Sequence, residues 1–350
     1  MALNIELLSK ICKTPGASGF EQKVREIVVD ELKGIVDHLE IDNMGNVYAL
    51  KKGKSNKKVM IGAHMDEIGF MVTHIDEKGF IRFTTLGGFD PKTLTAQRVI
   101  VHGKKDIIGV MASKPIHVMT ADEKNKVAKL SDYFIDTGLS AEEVKELVEI
   151  GNPVTREREF IEMGNCVNGK SLDNRLAVFI LIEALKHLKG KDVPYDIYGV
   201  FTVQEEVGIR GANVSSMKIK PDFGFGLDTT IAFDLPGAAP HEMITKLGEG
   251  TAIKIMDAST ICDYRMVDYM KKTADKHSIK WQPEILTAGG TDTAGIQRMT
   301  EGGSIAGAVS IPTRHLHQVI EMANKDDIQG SIDLLIACVS ELDTYNWDFK

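Results

Sequence analysis

The chain has 350 residues, with 42 Lys+Arg against 50 Asp+Glu and a formal net charge of −8. Its 43% hydrophobic and 26% charged content is that of an ordinary globular protein, which excludes a disordered or fibrous chain. The acidic balance argues against nucleic-acid binding and against adsorption to an anionic membrane, and the length allows two domains or one large one.

The chain opens without a basic segment leading into an apolar run, so no signal peptide is expected. Residues 21–33 carry Val24, Ile27, Val28 and Leu32 on one helical face. Residues 36–41 and 46–50 read as strands around the turn Asp42-Asn43-Met44-Gly45. A basic loop over 51–58 leads into the apolar run 59–63. From about 67 to 163, short strands are separated by Gly pairs and turns, and this section reads as a mostly β module. One clear helix interrupts it over 140–149, where Ser140 and Glu143 form a capping box. Residues 173–188 then read as a long helix with an Asp at its start. Beyond it, the apolar runs IYGVFTV, FGFGLD, TAIKIMD and SIAGAVSI alternate with helices. That alternation predicts a central, mainly parallel α/β sheet. The longest apolar stretch, 176–185, is far short of the roughly 20 residues that cross a membrane. Cys12, Cys166, Cys262 and Cys338 are scattered without a C-x-x-C pair, which fits a reducing, cytoplasmic setting.

The informative residues stand at the ends of the predicted strands. The run 59–63 leads into His64-Met65-Asp66, 197–203 into Gln204-Glu205-Glu206, 223–227 into Asp228, and 305–311 towards His315-Leu316-His317. Ligands of open α/β sheets bind outside the carboxyl ends of the strands. Asp173 adds a carboxylate from a helix start. Taken singly, each is more readily a turn or cap residue, and Asp173 alone is an ordinary N-cap. Their recurrence at one sheet edge is what points to chemistry.

Two imidazoles and three carboxylates suit zinc, cobalt or manganese rather than calcium. Three carboxylates and two divalent cations sum to +1, which a bridging hydroxide would neutralise. Two metals about 3.5–4 Å apart are a known device for activating water. In the H-x-D pattern, residues two apart on a strand share a face, so Asp66 can accept a hydrogen bond from His64 and fix its tautomer. Glu205 and Glu206 leave the strand end in different directions, so one can ligate while the other acts as general base. His38, His74, His102, His117, His187, His241 and His277 lack matched partners and read as ordinary histidines. GGTDTAG, residues 289–295, lacks the P-loop pattern.

PGASGFE, AHMDEIGFMV, IDTGLSAEEVKELVEIGNPV, SLDNRLAVFILIEAL, VFTVQEEVGIRGA, GLDTT, GGTDTAGIQ and IPTRHLH follow one another along nearly the whole chain. In this order the sequence resembles the glutamyl aminopeptidase and tetrahedral aminopeptidase (TET) family of dinuclear metallopeptidases. The resemblance implies that His64, Asp173 and Asp228 hold one metal and that Asp173 bridges to a second held by Glu206 and His317. It gives Glu205 the role of general base towards a metal-bridging hydroxide and Asp66 that of orienting His64. His315, where the family usually has an aromatic, competes with His317 on spacing alone. GGTDTAG would then lie near the substrate. The implied cofactors are two divalent ions, zinc first, with cobalt or manganese as alternatives, and the implied substrates are short peptides.

The same resemblance implies a zinc-exopeptidase-like α/β sheet with an inserted small β-barrel-like domain over 67–163. Residues 1–66 and 164–350 would form the catalytic domain. The insert would serve oligomerisation, with dimers assembling into a tetrahedral dodecamer. An N-acyl-peptide deacylase on the same metals, a metal-assembled scaffold without catalysis, and an endoglucanase are the competing readings. The last ranks low because glycosidases normally need two carboxylic acids rather than two metals. An acidic-residue preference would require a cationic pocket wall, and Arg210, Arg265 and Arg298 are the cations that spacing leaves unplaced.

Overall fold

Alternation along the strand Ser55–His64 sets the layering. In the computed structural model, which describes residues 3–349, Val59, Ile61 and Ala63 enter one hydrophobic core and Met60 a second. A strand covered on both faces requires this near-continuous apolar run. Beside it lie Tyr195–Thr202, Phe223–Ile231 and Ile305–Arg314, and these four strands are parallel. The flanks are antiparallel. The hairpin of His38–Ile41 and Val47–Lys51 adds on one side, and Glu321–Asn324, Cys166–Gly169 and Ile161–Met163 add on the other. Thr251–Met256 pairs antiparallel with Ile305–Arg314 and parallel with Trp281–Ile285, completing an eleven-stranded sheet. The sheet is therefore mixed, with its parallel character confined to the centre and the outlying pair.

The larger core surrounds the helix Leu172–Leu188, which is apolar on nearly every side and correspondingly buried. It packs on Ser55–His64 and Phe223–Ile231 beneath the helices Ile5–Lys13, Gln22–Leu32 and Lys325–Ser340. The opposite sheet face carries the helices Arg210–Ile219 and Asp292–Arg298 over the smaller core of Met60, Val200, Ile219 and Ile296. Glycines make the second contact close. A methyl at Gly226 would fall 1.9 Å from Thr293 Oγ1, and one at Gly224 2.1 Å from Ile296 Cγ2.

Between the strand Ser55–His64 and the central helix, six strands close a separate barrel. Their order is Gly69–Ile75, Ile81–Leu86, Phe134–Asp136, Asp106–Ala112, Arg98–His102 and Pro153–Arg156. Phe70, Val72, Val99, Val101, Ile135 and Val154 fill it. Along Asp106–Ala112, inward Ile107, Gly109 and Met111 alternate with exposed Asp106, Ile108 and Val110, the period of two that a one-sided strand demands. The expected helix is Ala141–Leu147, and both bonds of the Ser140/Glu143 capping box form.

Three local features depart from the sequence reading. The helix Ile5–Lys13 was not anticipated. It is set by Leu7, Leu8, Ile11 and Cys12 turning inward and by Asn4, whose side chain accepts from the Leu7 N–H at 3.1 Å. Half of the basic loop is strand, because Ser55–Lys58 extend the pairing towards Tyr195 and Asp196, with Lys57 exposed and the half-buried Lys58 donating to the Ile219 carbonyl. Asp173 and Asn174 have non-helical dihedrals, so regular helix begins only after them.

The close approach at Gly226 makes a stability prediction. Gly226→Ala is expected to cost about 1–3 kcal/mol through overpacking. Gly330→Ala, inside the helix Lys325–Ser340 with its nearest neighbours at 3.9 Å, is expected to stabilise by about 0.5–1 kcal/mol. Paired urea titrations check both, and an unchanged midpoint for Gly226→Ala would contradict the packing argument.

Candidate metal centre

The parallel strands deliver their polar residues to one place. His64 is the last residue of Ser55–His64, and its register partner is Thr202 at the end of the next strand. Glu205 and Glu206 follow that strand by three and four residues. Asp228 lies within Phe223–Ile231, which runs four residues beyond the expected end because Asp228, Thr229, Thr230 and Ile231 still pair with Ser310, Ile311, Pro312 and Thr313. His317 stands three residues past Ile305–Arg314. Asp173 enters from the irregular start of the central helix.

His64 Nε2 is 3.5 Å from Asp173 Oδ1, 3.8 Å from Asp228 Oδ1 and 3.9 Å from Glu205 Oε2. His317 Nε2 is 3.3 Å from Asp173 Oδ2 and 3.6 Å from Glu206 Oε2. Two groups result, His64–Asp173–Asp228 and Asp173–Glu206–His317, each with its ligand atoms within 4.8 Å of one another. Asp173 belongs to both, one oxygen towards each histidine. His315 belongs to neither, and neither do the other histidines of the described residues.

Both imidazoles are oriented from behind. His64 Nδ1 donates to the Asp66 carbonyl at 3.1 Å and lies 3.3 Å from Asp66 Oδ1. His317 Nδ1 donates to the Gly88 carbonyl at 2.9 Å. With Nδ1 engaged by a carbonyl, Nε2 is the nitrogen that each ring turns towards the carboxylates. The fully buried Asp66 also accepts from Ser18 Oγ at 2.6 Å, Glu205 N at 3.0 Å and Glu206 N at 3.2 Å. It thus ties His64 to the loop that carries both glutamates.

The electrostatics of this cluster call for cations. Burial pushes Glu205, Glu206 and Asp228 above the usual carboxylate range, and their acidic neighbours push the same way. Burial alone would lower His64, but Asp173, Asp228 and Asp66 override it and carry the imidazole well above its ordinary value. Burial likewise opposes ionisation of Asp173, yet His317 and His64 hold its carboxyl well below the usual range. Asp173 Oδ1 and Glu206 Oε1 are buried without a hydrogen-bond partner. Orphaned carboxylate oxygens beside imidazoles whose Nε2 atoms point at them fit divalent cations of the zinc type, which would take the place of the protons these groups share.

Sequence reasoning missed the groups that hold this cluster. Glu321, buried, accepts from the backbone N–H of Asp173 at 3.1 Å and of His317 at 2.9 Å, joining two elements of the site. Glu67, also buried, accepts from Lys170 Nζ at 2.8 Å and Ser171 Oγ at 2.5 Å just ahead of Asp173. Its position inside HMDE was the only available signal. Asp292 of GGTDTAG accepts from Thr202 Oγ1 at 2.5 Å, and burial raises it to about 7. Gly289, Gly290 and Thr291 line the cavity of about 520 Å³ that opens on the cluster.

Comparison with known proteins places this geometry. Residues 45–334 match the M42 glutamyl aminopeptidase family. The lysyl aminopeptidase of Pyrococcus furiosus is 34% identical, with 96% of this chain and 97% of that protein aligned. The TET aminopeptidase of a marine sediment Thaumarchaeota archaeon has 35% identity and a TM-score of 0.94, covering 97% of this chain and 96% of its own. The Pyrococcus horikoshii TET1 peptidase, which can assemble into a tetrahedron or a large octahedral shell, has 31% identity and a TM-score of 0.87, covering 96% and 99%. The chain thus belongs to the M42 glutamyl aminopeptidase family and is a hydrolase of peptide bonds.

Proposed function

We propose that this protein removes N-terminal residues from short peptides at a dinuclear centre. His64, Asp173 and Asp228 would hold one ion, and Asp173, Glu206 and His317 the other. The observation that carries this reading is the sharing of Asp173 between two three-residue groups. Zinc is the expected occupant from the mixture of imidazole and carboxylate donors. When bound, the ions supply Lewis-acid polarisation of the scissile carbonyl and lower the pKa of water.

The chain's own residues do the rest. Glu205 takes the proton of the attacking water at a carboxylate oxygen and delivers it to the departing amine. The Glu205 and Glu206 N–H bonds to Asp66 hold that carboxylate beside His64. Asp66 keeps the His64 proton on Nδ1, so Nε2 remains a donor of electrons. Glu321 fixes the Asp173 and His317 backbones relative to each other. We assign the barrel carried by residues 67–163 to self-assembly, with a tetrahedral dodecamer as the expected form, by analogy with the P. horikoshii relative. No helix among the described residues is long and apolar enough to cross a membrane.

Three experiments test the site. Glu205→Gln should lower kcat on a free-amine peptide by about 10²–10⁴-fold while bound metal, measured by plasma mass spectrometry, stays at two ions per chain. Full turnover in that variant would remove Glu205 from the mechanism. Chelation should abolish turnover and zinc should restore it. His317→Ala should bind one ion where His315→Ala still binds two, and the reverse pattern would reassign the ligand.

A further inference from the structure

The cavity beside the metal centre has a wall whose charge decides which N-terminal side chain it accepts. None of Arg210, Arg265 and Arg298 lines it. Arg210 donates to Gln204, Arg265 is paired with Asp263 in a different cavity, and Arg298 donates to the Ala294 carbonyl. Lys254 is the only Lys or Arg among the described residues that lines it.

Lys254 is not available as a free cation. It is 1% exposed, its Nζ donates to Asp257 Oδ2 at 2.9 Å, and Glu284 Oε1 lies 3.3 Å away. Both carboxylates are themselves buried. Asp257 Oδ1 accepts from the N–H groups of Ser259 and Thr260, and Thr230 Oγ1 donates to Glu284 Oε1. One ammonium against two carboxylates leaves the group with a net charge of −1. Glu284 Oε2 has no hydrogen-bond partner, so that excess is not dispersed. The cavity is also lined by the aliphatic side chains of Ile209, Ile231, Leu286 and Ala288 and by Thr229 and Thr230.

Resting on the aminopeptidase reading above, we infer that this cavity takes a neutral aliphatic N-terminal residue, such as leucine or methionine, and rejects an acidic one. Leucine buries apolar surface against the four aliphatic side chains. A glutamate side chain would lose its water in front of a group that already carries surplus negative charge. A lysine side chain would be drawn by the surplus charge but would find Asp257 and Glu284 Oε1 already engaged by Lys254 and would have to shed its water, and so ranks between them. At the wall itself Lys254 is already neutralised by Asp257, and the buried Glu284 carboxylate stands behind the pair.

The test uses the full-length, zinc-loaded protein with leucyl, lysyl and glutamyl p-nitroanilides, together with calorimetric binding of the three matching amino-acid α-hydroxamates. The expected order of kcat/KM and of affinity is leucine, lysine, glutamate, with leucine ahead of glutamate by about tenfold or more. Glu284→Gln keeps the Oε1 bonds and removes one negative charge, so it should narrow the leucine-to-glutamate ratio by about fivefold or more. Equal or better handling of glutamate by the unaltered protein would overturn the assignment, as would a ratio that does not move in Glu284→Gln with folding intact by circular dichroism. Selective hydroxamate binding without turnover of any anilide would instead overturn the peptidase reading and leave the pocket assignment supported.

Discussion

The structure depends on one constraint: carboxylates and imidazoles are packed together out of water at the carboxyl edge of a parallel sheet. Asp66, Asp173, Glu205, Glu206 and Asp228 share a space that two histidines cannot neutralise. Burying a carboxylate is costly unless it is paired or coordinated, and several in contact repel one another as well. The sheet can hold them apart only because rigid strands fix where each begins. The arrangement therefore stores an electrostatic demand that divalent cations would relieve.

The polar groups behind the centre answer the part of that demand which cations do not reach. Glu67 sits between Lys170 and Arg175, with Gly16 N–H and Ser171 Oγ completing its acceptor sites. Arg175 in turn donates to the carbonyls of Ile11 and Thr14, which anchors the end of the first helix to the start of the central one. Such buried ion pairs contribute little net stability against apolar alternatives, because both partners lose their water. What they do here is directional. Each fixes the backbone next to a proposed ligand, as Glu321 does for Asp173 and His317 at once. The small residues of the second sheet face have the same effect by sterics: Gly62, Gly224 and Gly226 bring the helix Asp292–Arg298 against the strands and so set Thr291 at the cavity wall.

Much of this was legible in the sequence, for a definite reason. Strand ends that carry a His or a carboxylate are visible because a continuous apolar run stops at a charge, as at Ala63-His64 and Leu227-Asp228. The capping box at Ser140 is local and so is readable locally. What escaped was non-local. Glu321 acts across about 150 residues of chain on Asp173, and nothing in its neighbourhood announces this. Lys254 looks like a cation of the wall until Glu284 is seen beside it. The strand at Ser55–Lys58 was hidden because all four residues are polar, leaving no apolar alternation to detect. Spacing left His315 and His317 equal. The backbone separates them, turning only His317 Nε2 towards Asp173 and Glu206.

The barrel is also tied into the centre. His64 precedes it in the chain while Asp173, Glu206, Asp228 and His317 follow it, so the proposed ligands converge around a separately packed body. Gly88, from the loop after the barrel strand Ile81–Leu86, accepts from His317 Nδ1, and Arg156, at the end of the barrel strand Pro153–Arg156, donates to the His317 carbonyl at 3.0 Å. His317 is the more exposed of the two proposed histidine ligands, and these bonds supply the restraint that burial gives His64. A rigid displacement of the barrel would therefore be felt first at the Asp173–Glu206–His317 group, while His64, held by Asp66 within the sheet, would be felt last. The two halves of the centre thus differ in what fixes them: one is set by the strands, and the other by the barrel packed beside them.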